Sequence, residues 1–402
     1  MIRKIFYKIQ DELENNLILL LIWARQVGKT TVLKQLRESI SSGQKTYFIN
    51  LEDPDIKTAL NIHPNKIFEI IWSNSAEKQI VFIDEIQYLD NPTNFLKYLY
   101  DEYKDTLKLV VSWSSSFYID QKFKDSLIGR KKVFNMYTLD FEEFLDFKEE
   151  NEIKTILFKD KNIPLLYRDK IAQLFWEYIS YWWYPEIVLI KDHDKKIQRL
   201  NDFTFDYIKK DIYDANISDS DKFFSILKIL ANQTWELVNM NEIANTCNLS
   251  LPTVEKYIYI MQKSFHVALI RPYHTNIRKE LSKMPKIYFY DLWFRNSLLR
   301  NFEPILLRWD KWASLENIVF RELLFGFWKE NIKFWRTQAQ NEVDFIINES
   351  KAIEVKFNKN NIKESKYKLF QNQYPNIPLE YLVYDTCIQK IINIYTMSQN
   401  PQ

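Results

Sequence analysis

A chain of 402 residues, 46% hydrophobic and 27% charged, can fill two or three domains with sizeable cores and is not an intrinsically disordered polymer. A net charge of +2 rules out a chain-wide basic surface, so any nucleic-acid contact must be local. The two cysteines, Cys247 and Cys387, lie too far apart in sequence for a zinc cluster and fit a reducing compartment.

From Met1 to Asn16 the charge alternates, without the apolar core of a signal peptide. The apolar run Leu17 to Ala24 is far shorter than the roughly 20 residues that cross a bilayer. A cytoplasmic protein without a membrane span is expected. His63, His193, His266 and His274 lack metal-ligand spacing and read as solvated or packing residues. Glycine is abnormally scarce, 4 residues against 12 tryptophans, where ordinary usage gives roughly 28 glycines.

Asn16 to Trp23 reads as a buried strand and Thr30 to Ser39 as the helix after it. Between them, Trp23-Ala24-Arg25-Gln26-Val27-Gly28-Lys29-Thr30 keeps the phosphate-loop pattern G-x-x-x-x-G-K-[ST] except at its first residue. The residue types suit the chemistry. Backbone N–H groups and a helix N-terminus cradle anionic phosphates. Lys29 is placed to reach the β- and γ-phosphates of ATP, and the Thr30 hydroxyl to ligate Mg²⁺. The bland alternative is a strand-to-helix turn that happens to contain Gly-Lys-Thr. Against it stands Ile80 to Glu85, an apolar run ending in two carboxylates about 55 residues further on. Asp84 is expected to hold the metal through water, and Glu85 to act as general base on the attacking water. A third strand, Leu107 to Ser112, leads into Trp113-Ser114-Ser115-Ser116, where Ser114 or Ser115 is a candidate γ-phosphate sensor. Arg130 is a candidate charge for a neighbouring subunit's nucleotide, or a plain surface ion pair.

Together with Thr31, Leu139-Asp140-Phe141-Glu142-Glu143-Phe144-Leu145, Tyr184-Pro185-Glu186, Tyr288-Phe289-Tyr290-Asp291 and Glu342-Val343-Asp344-Phe345, these motifs resemble the AAA+ ATPases of bacteria and archaea that carry a carboxy-terminal domain of unknown function. The likeness spans nearly the whole chain. It implies ATP and Mg²⁺ as cofactors. Trp23, Ala24, Arg25, Gln26, Val27, Gly28, Lys29, Thr30, Thr31, Asp84 and Ser114 would surround the nucleotide, with Lys29, Glu85 and Arg130 acting in hydrolysis. It also implies glycine at Trp23, Trp113, Trp182, Trp183, Trp235, Trp293 and Trp312. Trp309 and Trp328 stand in turn-like contexts, Trp72 and Trp176 are harder to place, and Trp335 falls where the family tolerates an aromatic. Two readings stay open. Some bacterial lineages decode UGA as glycine, and translation by a table that gives tryptophan would make this single exchange throughout. Alternatively the loop has degenerated, because an indole at position 23 obstructs a turn that glycine makes freely.

After about Asp160, amphipathic helices take over; Leu165 to Ser180 and Asn201 to Ile212 look like the helical lid of such ATPases. Met240 to Cys247, a turn at Asn248-Leu249-Ser250, and Leu251 to Lys263 with Pro252 in its first turn make a helix-turn-helix pattern. His266 to Ile270 would begin a wing. As a DNA reader the module would present Ser250, Thr253 and Lys256; as a scaffold it would contact protein. Further on, Glu342 to Ile347 and Ala352 to Lys356 read as paired strands. Alternation puts Glu354 and Lys356 on one face, where Asp344 can meet them. This resembles the metal site of restriction-endonuclease-like folds, with Asp344 and Glu354 on Mg²⁺ and Lys356 orienting water. A retained fold without cleavage is favoured.

The expected architecture is α/β: a parallel-sheet P-loop ATPase core (1–160), a helical lid and winged-helix region (161–300), and a small endonuclease-like α/β domain (301–402). The expected function couples ATP binding and hydrolysis to the carboxy-terminal region. DNA, an unknown protein and further copies of the chain are the expected partners. The alternative is a DNA-binding or nuclease-like module with a degenerate nucleotide site.

Overall fold

The computed structural model describes residues 1–23, 27–40, 43–73, 78–113, 127–160, 163–181, 184–274, 276, 278, 280, 283–305 and 307–384. They fall into two compact units, Met1–Leu139 and Asp140–Gln402.

The first unit opens with α1 (Lys4–Gln10) and then alternates strand and helix. Its elements are β1 (Ile18–Trp23), α2 (Lys29–Ser39), β2 (Lys45–Asn50), α3 (Pro54–Ile62), α4 (Lys66–Ile70), β3 (Gln79–Asp84), α5 (Pro92–Tyr103), β4 (Leu107–Trp113) and β5 (Lys131–Met136). The five strands run parallel in the order β2-β3-β4-β1-β5. Every residue of β3 and β4 is buried. That is what continuous apolar runs require, and a parallel sheet covered on both faces satisfies it. Parallel pairing also sends all five carboxyl ends to one edge, the edge where open α/β sheets hold ligands. β4 sits between the phosphate-loop strand and the acid-bearing strand, with Ser112 in register with Leu21 of β1. This sheet and its helices fit a P-loop NTPase α/β domain.

The second unit is helical in its first half: α6 (Phe141–Phe147), α7 (Asn151–Thr155), α8 (Arg168–Tyr181), α9 (Pro185–Leu189), α10 (His193–Asp214) and α11 (Ser220–Asn232). α6 starts on a capping box in which Asp140 and Glu143 satisfy each other's backbone N–H, which accounts for the Asp-Phe-Glu-Glu run there. α12 (Met240–Cys247) ends at Asn248 in the left-handed conformation, and Ser250 caps α13 (Leu251–Lys263) by accepting from the Thr253 N–H. β6 (Val267–Ile270) and β7 (Lys286–Phe289) follow as an antiparallel ribbon. After α14 (Leu292–Leu299) and α15 (Lys311–Gly326) come β8 (Ile332–Arg336), β9 (Glu342–Ile347), β10 (Lys351–Lys356), α16 (Lys368–Gln373) and β11 (Leu379–Val383). These last strands form a sheet in the order β11-β10-β9-β8, antiparallel except for the β10–β11 pair. Trp335, Val343, Ile346, Ala352 and Phe370 pack one face. No helix among the described residues is long and apolar enough to cross a membrane.

Candidate nucleotide site

The site forms where β1 and β3 end. Gly28 sits at φ +92°, a left-handed turn that glycine makes at no steric cost, and it starts α2 directly after the loop. The same turn delivers Lys29 and Thr30 on the helix's first residues. Asp84 closes β3, and Glu85 follows it at φ +57°. A non-glycine residue held there stores about 1–2 kcal/mol of strain, as functional positions often do.

The four side chains converge. Thr30 Oγ1 donates to Asp84 Oδ2 at 2.6 Å, and the Lys29 ammonium pairs with Glu85 Oε1. Gln87 donates from its side-chain amide to Glu85 Oε2. Lys29 and Asp84 are buried. Two oxygen donors therefore stand together beside a cation and a carboxylate, on the helix N-terminus that favours anions. A bound triphosphate would compete with Glu85 for Lys29.

Two more residues, which the sequence reading did not single out as site residues, hold this arrangement. Ser112 Oγ donates to Asp84 Oδ1 and accepts from the Glu85 N–H at 2.7 Å, so one hydroxyl fixes both acids. Arg3 reaches the loop from the start of the chain. Its guanidinium donates to the carbonyls of Val27 at 3.1 Å, Tyr137 at 2.9 Å and Thr138 at 3.2 Å. Polarity alone could have flagged Ser112, a lone hydroxyl in the apolar strand β4; nothing local marks Arg3.

The other candidates are placed differently. Ala24, Arg25, Gln26 and Ser114 lie outside the described residues, and Trp23 closes β1. Thr31 is exposed on α2. Arg130 precedes β5 at the opposite, amino end of the strands, where its Nε donates to Asp101 Oδ1 at 2.6 Å and its carbonyl accepts from the Ile18 N–H. Asp344, Glu354 and Lys356 do come together in the second unit. The Asp344 N–H donates to Glu354 Oε2 at 3.3 Å, and the Lys356 ammonium pairs with Glu354 Oε1. Burial and then the neighbouring Asp344 push the Glu354 carboxyl up to about 7.

Residues 15–145 match the family described as an AAA domain. The AAA match covers β1 through β5, and with the geometry above it supports a nucleotide-binding ATPase. Residues 172–304 and 312–394 match two domains of unknown function, DUF8612 and DUF4143. An uncharacterized protein of Methanocaldococcus jannaschii is 26% identical over 92% of this chain and 82% of its own length. An uncharacterized protein of Haemophilus influenzae is 24% identical over 82% and 79%. Among solved structures, AMPPCP-bound DnaA from Aquifex aeolicus aligns with a TM-score of 0.29 at 13% identity, covering 64% of this chain and 86% of that one. C. elegans PCH-2 aligns at 0.31 and 12%, covering 63% and 67%. The AAA assignment therefore rests on the sequence match and the site itself.

Proposed function

We propose that the first unit binds ATP with Mg²⁺ and hydrolyses it, and that this cycle switches the second unit. The reading is carried by the convergence of Lys29, Thr30, Asp84 and Glu85 at the carboxyl ends of β1 and β3. Thr30 Oγ1 and Asp84 Oδ2 are hard oxygen donors and suit Mg²⁺, the hydroxyl as direct ligand and the carboxylate through water. When bound, the metal offsets phosphate charge during transfer. Lys29 exchanges Glu85 for phosphate oxygens, which releases Glu85 to accept a proton from the attacking water. Residues 23–28 line the phosphates with backbone N–H groups, and Ser114 senses the γ-phosphate.

Binding and turnover test this separately. Lys29→Ala should lose ATP affinity, while Glu85→Gln should keep affinity and lose hydrolysis. A Trp23→Gly chain should bind more tightly than the chain as written. Equal affinity in the Lys29→Ala variant and its parent would sink the proposal.

Further proposals go with it: the division into 1–160, 161–300 and 301–402, and a homo-oligomer in which Arg130 serves a neighbour's nucleotide. A second reading, DNA contact through a winged helix, is favoured by α12 and α13 followed by the β6–β7 ribbon, with Ser250 exposed and Thr253 half-buried at the start of α13. Tight DNA binding without nucleotide would favour that reading over the first.

A further inference from the structure

A divalent metal at Asp344 and Glu354 needs several carboxylate oxygens facing one point. Those oxygens have other partners. Lys286, on β7, is fully buried. Its Nζ lies 3.0 Å from Glu316 Oε1, 2.5 Å from Glu342 Oε1 and 3.9 Å from Asp344 Oδ1. Asp344 Oδ2 accepts from the Val355 N–H at 2.8 Å. Glu354 Oε1 meets Lys356 and accepts from the Tyr367 hydroxyl at 2.7 Å. Glu342 Oε2 accepts from Arg336 at 2.9 Å, and Glu316 Oε1 from the Tyr288 hydroxyl at 2.5 Å. Among the described residues, no group of three or more His, Cys, Asp or Glu side chains is arranged to hold a metal ion. A divalent cation brought beside this ammonium would be repelled, and burial strengthens such repulsion.

We infer that Lys286 is the resident cation of this cluster, a protein-borne ammonium where the restriction-endonuclease likeness implies a metal. The cluster is then an ionic joint between β7, α15 and β9, not a nuclease centre. Burial alone would discharge the lysine, but the carboxylates of Glu316, Asp344 and Glu342 outweigh it and raise its pKa. The ring of Phe334 lies 5.6 Å from the ammonium and adds cation–π attraction. Next to the charges, the Asn317 amide continues the joint. Its Oδ1 accepts from the Phe289 N–H at 2.7 Å and its Nδ2 donates to the Phe289 carbonyl at 3.0 Å. The ribbon strand is thereby fastened to α15 along its length, so a displacement of the ribbon reaches β9 directly.

Mn²⁺ titration of the nucleotide-free full chain, followed by electron paramagnetic resonance, tests the absence of a metal. The isotherms of the wild type and Asp344→Asn should superimpose. An ion bound by the wild type and lost in Asp344→Asn overturns the inference, and Glu354→Gln serves the same comparison if the first variant does not fold. The joint is read by urea unfolding. Lys286→Met should lower the midpoint and Lys286→Arg should recover part of the loss. An unchanged midpoint in Lys286→Met overturns it.

Discussion

Replacing Ser112 with alanine probes the site at the residue that touches both acids. Its hydroxyl accepts from the Glu85 N–H and donates to Asp84 Oδ1, and the residue is fully buried. Alanine removes one hydrogen bond from each acid. A buried bond to a neutral partner contributes about 1 kcal/mol and one to a charged partner about 2 kcal/mol, so the variant should lose roughly 2–4 kcal/mol of stability. The same loss loosens Glu85, whose left-handed backbone is anchored by that N–H. If 2 kcal/mol of transition-state stabilisation goes with it, kcat falls about 30-fold. KM should scarcely change, because Lys29 and Thr30 are carried by α2. Urea unfolding and steady-state ATP hydrolysis measure the two effects, and Ser112→Thr, which keeps the hydroxyl, should recover most of both. An alanine variant with the parent's midpoint and turnover refutes the claim that one hydroxyl orders the two carboxylates.

Arg3→Met removes the donor shared by Val27, Tyr137 and Thr138, and should weaken ATP binding about tenfold, a loss of about 1.4 kcal/mol, read by calorimetric titration. Asp310 lies buried between Arg295, at 2.5 Å, and Arg308, at 2.7 Å. Burial opposes its ionisation, but the two guanidiniums prevail and pull its pKa from 3.8 to about 2. A depressed carboxylate stabilises the fold above its unfolded pKa and loses that contribution as pH falls through the folded one. A contribution on the order of 2 kcal/mol should therefore disappear as pH falls from 4 toward 2, and Asp310→Asn should remove that part of the slope in urea midpoints. Trp72 is 94% exposed at φ +49°, so Trp72→Gly relieves strain without losing packing. Offset by the freer unfolded chain, the gain should be on the order of 0.5–1 kcal/mol in urea unfolding. Peptide mass spectrometry of the native protein over positions 23 and 235 should read glycine if UGA decoding explains the exchange.

Much of the first unit was legible because its signals are local. The runs Asn16 to Trp23 and Ile80 to Glu85 are apolar except at their ends, and the structure gives them as β1 and β3 with only end residues shifted. Spacing then sufficed to bring Thr30 to Asp84. Strand order is a tertiary property and was not legible. Because β4 lies between β1 and β3, Ser112 inside the strand meets both acids; sequence reasoning looked past it to Ser114. Arg3 escaped for the same reason, since its three acceptors come from two distant segments. In the second unit, alternation put Glu354 and Lys356 on one face with Asp344 in reach from the neighbouring strand, yet it gave no hint of Lys286. That ammonium comes from a different strand, and its acidic partners lie on α15 and β9.

The tryptophans sort by backbone as well as by burial. Trp235 and Trp72 have positive φ, +75° and +49°, where an indole-bearing residue is strained and glycine is not. At Trp235 the resemblance and the backbone ask for glycine independently, one from motif and one from stereochemistry. Trp113 and Trp293, where the resemblance also implies glycine, are fully buried. They have no positive φ, so there the backbone makes no demand and only packing would change. A large ring fits the core at those two positions, whereas at Trp72 it covers nothing. A loop worn down by drift would lose its charged residues along with its first glycine. Here Lys29, Thr30, Asp84 and Glu85 still meet, and the exchange falls on one residue type. That combination favours a fold laid out for glycine at its turns, with the four side chains of the candidate site still assembled.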